Sequence, residues 1–281
     1  MTYWEAVAHG EKVLELSHIA DAKTDAWLLL EMGCKIDRKF YYMHMEDDLP
    51  DDLLKEYELA IKKRAEHIPL QYIVGETEFM GLKFKVNSNV LIPRQDTETL
   101  VEEALKTVKP GMKVLDMCTG SGCIIISILH NVEGVKGYAV DISKQAVNVA
   151  KENAKLNEVP VLFERSDLFE MVTEKFDVIV SNPPYIPTDV IPQLMPEVQV
   201  FEPIEALDGK EDGLYFYRKI VEQSKDYLNC GGSLMFEIGY DQGKDVSKMM
   251  TDAGFSNVCV KKDLAGNDRV VTGMLLSLIH I

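Results

Sequence analysis

The chain changes rhythm once along its length. Over residues 1 to about 75 the apolar positions recur at helical spacing. Leu54, Tyr57, Ile61 and Ala65 share one face of a charged segment that opens at Pro50-Asp51-Asp52, a helix start. Trp27-Leu28-Leu29-Leu30 is apolar enough for a core helix, and Gly33 is placed to end it. Thr77 to Val86 alternates apolar and polar residues around Gly81, which predicts a β-hairpin.

From about residue 97 short apolar runs alternate with amphipathic stretches. Strands are predicted at Lys113–Asp116, Tyr138–Asp141, Val161–Phe163, Phe176–Ser181 and Ser233–Ile238. Helices are predicted over Cys123–His130, from a Ser143 cap to about Asn157, on the face Leu214, Tyr217, Val221, Ser224 and Leu228, and over Asp241–Ala253 with Gly254 ending it. Val258–Val260 and Val270–Thr272 follow as strands close in sequence, hence antiparallel. Such alternation predicts an α/β domain, a mostly parallel sheet with helices on both faces. The expected organisation is a helical domain over 1–75, a hairpin linker over 76–96 and an α/β domain over 97–281. The apolar stretch Leu275–Ile281 is either a last strand edge or sequence foreign to the protein, and no function is assigned to it.

Composition removes several classes. With 281 residues there is room for one large or two modest domains. No apolar run approaches the roughly 20 residues of a membrane span. Met1-Thr2-Tyr3-Trp4-Glu5 lacks the basic-then-apolar order of a signal peptide. Five scattered cysteines form no C-x-x-C pair and six histidines form no H-E-x-x-H, so reduced thiols, no metal and a cytoplasmic location are expected. The net charge of −16, from 30 Lys+Arg against 46 Asp+Glu, repels a polyanion and suits a protein or small-molecule substrate.

The candidate chemistry falls at strand ends. Cys118-Thr119-Gly120-Ser121-Gly122 follows the first strand, where glycines let the backbone approach a ligand. It is neither G-x-G-x-x-G nor a P-loop. Asp141 ends the second strand, about 20 residues later, where a carboxylate can hold both hydroxyls of a ribose. Asp167 and Leu168 end the third, placed to meet an adenine amino group and ring. Asn182-Pro183-Pro184-Tyr185 ends the fourth. There an Asn oxygen and a proline carbonyl can accept from a planar NH₂ group, and the tyrosine offers a stacking face. Taken singly these are a tight turn, a helix cap, a turn aspartate and a proline-rich turn. Together they occupy the edge where an open α/β sheet binds ligands.

Their order resembles a class I (Rossmann-like) S-adenosylmethionine-dependent methyltransferase, which implies a seven-stranded sheet. Leu91-Ile92-Pro93-Arg94-Gln95-Asp96-Thr97-Glu98, Phe201-Glu202-Pro203, Leu207 through Leu214 and Gly266-Asn267-Asp268-Arg269-Val270 narrow it further. With the helical N-terminus and hairpin, the chain is similar to the peptide chain release factor glutamine methyltransferase family (PrmC or HemK), over about residues 68 to 273. Two positions depart from that family. Cys118 stands where many members have Gly, a change a backbone contact survives if φ there is negative. Val200 stands where members often have Arg, which either weakens a substrate contact or is drift.

The resemblance implies that Cys118, Thr119, Gly120, Ser121 and Gly122 line the methionine part of S-adenosylmethionine, Asp141 holds its ribose, and Asp167 with Leu168 its adenine, Asn182 also bordering the cofactor. It implies a substrate glutamine in the Gly-Gly-Gln loop of class I release factors, held by Asn182 and Pro183 beside Pro184, with Tyr185 stacked on the amide. The products are N5-methylglutamine and S-adenosylhomocysteine. The helical domain is expected to recognise the release factor, with the enzyme a monomer and no direct nucleic-acid partner. The rivals are a sister enzyme acting on a ribosomal protein glutamine, an N6-adenine methyltransferase that flips a base into the same pocket, and a degenerate, non-catalytic binding module.

Overall fold

The computed structural model describes residues 1–276, so the end of the apolar stretch, 277–281, lies outside the described residues. Two compact units emerge, Met1–Glu76 with Met195–Phe201, and Thr77–Leu194 with the residues from Glu202 onward.

The first unit is helical: α1 (Tyr3–Leu16), α2 (Ala22–Cys34), α3 (Arg38–His44), α4 (Asp51–Ala65) and α5 (Leu70–Val74). Thr2 and Glu5 cap α1 reciprocally, each side chain accepting from the other's backbone N–H. On α4, Tyr57 and Ile61 are buried as the spacing predicts, while Leu54 and Ala65 are half-buried. The same helix buries a charge. Arg64 Nε donates to Asp25 Oδ2 at 2.7 Å, and its two terminal nitrogens donate to Glu197 Oε1 at 3.1 Å. Gly33 does not end α2. It keeps a helical backbone, and the stop comes at Lys35, whose left-handed φ of 51° lets its N–H reach the Glu31 carbonyl.

The second unit opens with the predicted hairpin, β1 (Glu76–Phe79) and β2 (Leu82–Lys85), turning through Met80 and Gly81, both at positive φ. There follow α6 (Gln95–Leu105), β3 (Lys113–Met117), α7 (Cys123–Asn131), β4 (Lys136–Asp141), α8 (Lys144–Leu156), β5 (Val161–Arg165) and β6 (Phe176–Ser181). After α9 (Pro196–Phe201), which belongs with the first unit, come α10 (Tyr215–Tyr227), β7 (Leu228–Glu237), α11 (Gly243–Asp252), β8 (Phe255–Lys262) and β9 (Asp268–Leu275). The sheet has seven strands in the order β5-β4-β3-β6-β7-β9-β8, parallel except where β9 runs against β7 and β8.

Period-2 alternation sorts the sheet's side chains onto two faces. Val114, Ala139, Val178, Val180, Met235 and Val270 pack with Leu100 of α6 and with Ile125 of α7. Their neighbours Leu115, Val140, Ile179, Leu234, Phe236 and Val271 pack with Tyr217 of α10 and with Val246 of α11. Residues 181 and 117 pair, as do 117 and 140, so β3, β4 and β6 end at one level. The functional loops therefore share one edge.

Candidate active site

At that edge lies a cavity of about 380 Å³, within the range of small-molecule sites. Its wall includes Cys118, Thr119, Gly120, Ser121, Asp141, Asp167, Leu168, Asn182 and Pro184. Gly122 stands behind the wall as N-cap of α7 at φ +81°. A Cβ there would press on Ile126 and Ala150 at 3.0 and 3.1 Å, which explains the glycine. Pro183 and Tyr185 are not in the wall: Pro183 is buried, and the half-buried Tyr185 packs against the α10–α11 side of the core.

The glycine loop is held by its own hydrogen bonds. Thr119 N donates to the Val140 carbonyl at 3.0 Å, and Thr119 Oγ1 donates to Asp116 Oδ2 at 2.6 Å. Gly120 N donates to Asp141 Oδ2 at 2.9 Å, while Ser143 N donates to Asp141 Oδ1 at 2.9 Å. The chain reverses between β3 and α7 within these few residues, and the turn places Cys118 at φ +63°. The condition of a negative φ at Cys118 is thus not met: the site asks for glycine geometry, and a cysteine occupies it. Leu168 is also left-handed, at φ +47°, with its carbonyl accepting from Ser166 Oγ at 2.7 Å. Behind the loop, buried Asn153 donates to the Ser121 and Lys85 carbonyls and accepts from Lys85 N, tying β2 to the turn.

Asn182 follows β6 and turns its Nδ2 to Thr97 Oγ1 at 3.4 Å, from α6. The Tyr185 carbonyl accepts from Gln242 Nε2 at 3.0 Å, and the same nitrogen donates to the Gly213 carbonyl at 3.3 Å. Gly209 N donates to the Ile186 carbonyl at 2.8 Å. Gly209 lies so close that a Cβ would stand 2.7 Å from the Tyr185 Cα. The glycine-rich segment 207–214 thus forms a brace along the backbone of the Asn-Pro-Pro-Tyr turn. Arg94 joins Glu202 through both carboxylate oxygens at 2.8 and 2.7 Å, linking two of the motifs. Val200 is exposed on α9.

Burial dominates the electrostatics. The carboxyls of Asp116 and Glu237 are fully enclosed and pushed up to about 7, chiefly by desolvation. Asp141 is raised for the same reason, against its backbone hydrogen bonds. Tyr185 is raised by burial first and the nearby Glu237 second. Among the described residues no group of His, Cys, Asp and Glu is arranged to hold a metal, and no helix is long and apolar enough to cross a membrane.

Thr97, Asp116, Asn153, Glu202, Glu237 and Gln242 were not among the site residues read from sequence. Thr97 and Glu202 lie inside the quoted motifs, and Glu237 is an acid ending an apolar strand. Asn153 and Gln242 carry no sequence mark.

A seven-stranded sheet of this order, with a cavity at its carboxyl edge ringed by the glycine loop, Asp141 and Asn182, defines a methyltransferase. The fold is that of a methyltransferase from Pyrococcus furiosus, matched with a TM-score of 0.53 at 21% identity over 70% of this chain and 90% of that one. Residues 5–75 match the PrmC N-terminal domain, and residues 94–194 the methyltransferase small domain. The release factor glutamine methyltransferase of Clostridium botulinum is 42% identical over 274 residues, 95% of this chain and 97% of its own. That of Clostridium acetobutylicum is 44% identical over 274 residues, 95% and 96% of the two chains. The chain belongs to the release factor glutamine methyltransferase family.

Proposed function

We propose that this protein methylates the side-chain amide nitrogen of the glutamine in the Gly-Gly-Gln motif of class I peptide chain release factors, using S-adenosylmethionine. The observation that carries this reading is the placement of Asn182 in the cavity wall with its NH₂ turned inward to Thr97, which leaves Oδ1 as an acceptor for a substrate amide.

The residues present suit the cofactor. Each Asp141 oxygen accepts one backbone N–H and keeps a lone pair for a ribose hydroxyl. The loop backbone from Cys118 to Ser121 allows close approach, and Leu168 offers an apolar face for the adenine beside Asp167. S-adenosylmethionine supplies an electrophilic methyl group on a sulfonium.

An amide nitrogen has a delocalised lone pair and is a weak nucleophile. The Asn182 oxygen and the Pro183 carbonyl accept its two N–H bonds, orient the lone pair and stabilise charge as the nitrogen becomes tetrahedral. The amide proton becomes acidic only after alkylation, so it leaves late and no dedicated base is required. Tyr185, packed against the α10–α11 side of the core, anchors the turn that carries Asn182 and Pro183. Residues 1–75 recognise the body of the release factor, and the net charge of −16 favours a protein over a polyanion.

The test is mass spectrometry of purified release factor incubated with enzyme and cofactor. One added methyl group on the Gly-Gly-Gln glutamine is expected. Asn182→Ala is expected to bind cofactor and lose turnover. Methylation of a large-subunit ribosomal protein in a parallel reaction, with release factor untouched, would assign the sister activity instead.

A further inference from the structure

Behind Asn182 lie buried groups that the mechanism above leaves unused. Thr97 is 2% exposed; it accepts from Asn182 Nδ2 at 3.4 Å, and its hydroxyl lies near enough to the Glu237 carboxyl to work against the upward push of burial. Glu237 ends β7. It follows Phe236, which pairs with Ser181, the residue before Asn182. Glu237 is itself 2% exposed, and its Oε2 has no partner among the described residues. A buried carboxyl with an unpartnered oxygen is costly to a fold and calls for a reason.

The reason is in the donor count. An ionised carboxylate only accepts. Thr97 has one hydroxyl proton, and an ionised Glu237 beside it is the acceptor that would draw it. Oγ1 is then left with lone pairs alone, so the end of the Asn182 amide that faces it must be the NH₂. We propose that Thr97 and Glu237 are positioning residues that set which way round the Asn182 amide sits, so that an acceptor and not a donor meets the substrate. This inference rests on the function proposed for Asn182 and deepens it.

Protonation reverses the logic. Arg94 and Asp96 at the start of α6, Arg269 on β9, Tyr185, and Tyr217 on α10 surround Glu237. Their charges are engaged elsewhere. Arg269 pairs with Asp96 at 3.0 Å and Asp263 at 3.1 Å, and Arg94 with Glu202. Burial therefore prevails, and the carboxyl titrates at about 7. Once protonated, Glu237 can donate to Thr97. The Thr97 hydroxyl is then free to donate to Asn182, and the amide can turn its oxygen inward, away from the substrate.

Two measurements test this. In ¹⁵N-labelled enzyme, the Asn182 side-chain NH₂ resonances, assigned by their loss in Asn182→Ala, are expected to titrate with a midpoint near 7. The titration should vanish in Glu237→Gln and move upward in Thr97→Val, which removes a donor from the ionised carboxylate. In methyl-transfer kinetics, Thr97→Val is expected to lower kcat by about 10- to 100-fold with cofactor Kd unchanged. Thr97→Ser should restore it, and the acid limb of the kcat profile should disappear in Glu237→Gln. An Asn182 resonance insensitive to pH in the wild type, or wild-type kcat in Thr97→Val, overturns the proposal. A wild type that leaves release factor unmethylated would sink the functional reading, while the resonances would still decide the role of Thr97 and Glu237.

Discussion

Replacing Gly209 with alanine sets a backbone against a backbone. The new Cβ would stand 2.7 Å from Tyr185 Cα, 2.8 Å from the Tyr185 carbonyl carbon and 2.8 Å from Gly213 Cα, and ordinary contact begins at 3.4 Å. None of these atoms belongs to a flexible side chain, so relief requires a shift of about 0.7 Å in the brace or in the Asn-Pro-Pro-Tyr turn. Overpacking of this kind costs about 1–3 kcal/mol of stability. Misplacing a catalytic group by about 1 Å costs on the order of 100-fold in rate, so kcat is expected to fall about 10- to 100-fold. Cofactor binding should change less than rate, because the glycine loop and Asp141 lie on other loops and only Asp208 and Lys210 of this segment border the cavity. The assay is single-turnover methyl transfer beside calorimetric titration with cofactor and urea unfolding. Gly33→Ala is the control: it sits exposed inside α2 with nothing within 4 Å, and alanine there should add about 0.5–1 kcal/mol. A folded Gly209→Ala enzyme with wild-type kcat would refute the brace, as would a loss of cofactor affinity that matches the loss of rate.

Other substitutions probe the loop and the buried acids. Cys118→Gly should relieve the left-handed strain at φ +63° and, net of the freedom glycine gains when unfolded, raise stability by about 0.5–1 kcal/mol; a lower urea midpoint would show that thiol packing outweighs the strain. Asp141→Ala removes the acceptor of two backbone N–H groups at the cavity wall and should weaken cofactor binding, and an unchanged Kd would remove it from the ribose site. The acids Asp116 and Glu237 stay protonated to about pH 7 when folded but release their protons near pH 4 when unfolded. The native state then binds more protons across that window, so stability falls as pH rises from about 4 to 7, by on the order of 4 kcal/mol for each group. Glu237→Gln should flatten its share of that slope, as read by unfolding at several pH values; an unaltered slope would place its titration elsewhere.

The parts of the fold that were legible in sequence are those set by local pattern. The bounds of β6 match its apolar run, and the Ser143 cap and the Met80-Gly81 turn follow from local chemistry. What escaped has non-local causes. The first turn of α6 carries acidic helix-start chemistry in Asp96 and Glu98, but Asp96 and Thr97 are placed by partners far along the chain, Arg269 and Asn182, which local pattern does not show. Asn153 and Gln242 look like surface residues until their hydrogen-bond partners, distant in sequence, are brought to them. Gly33 illustrates the opposite error, a permissive residue taken for a stop when Lys35 supplied one. Cys118 shows that a backbone requirement can persist under a residue that does not advertise it.

The order of strands has a consequence for how the enzyme is made. The half-sheet β5-β4-β3-β6, which carries the glycine loop and Asp141, is fully synthesised once residue 181 has left the ribosome. The other edge of β6 must wait for β7, and the turn that follows it waits for Gly209, Gly213 and Gln242. Pairings with short sequence separation form before those that close long loops. A nascent chain can therefore align the strand ends that carry the glycine loop and Asp141 while the Asn-Pro-Pro-Tyr turn is still unbraced, and the later segments close the cavity wall from Pro203 to Phe216.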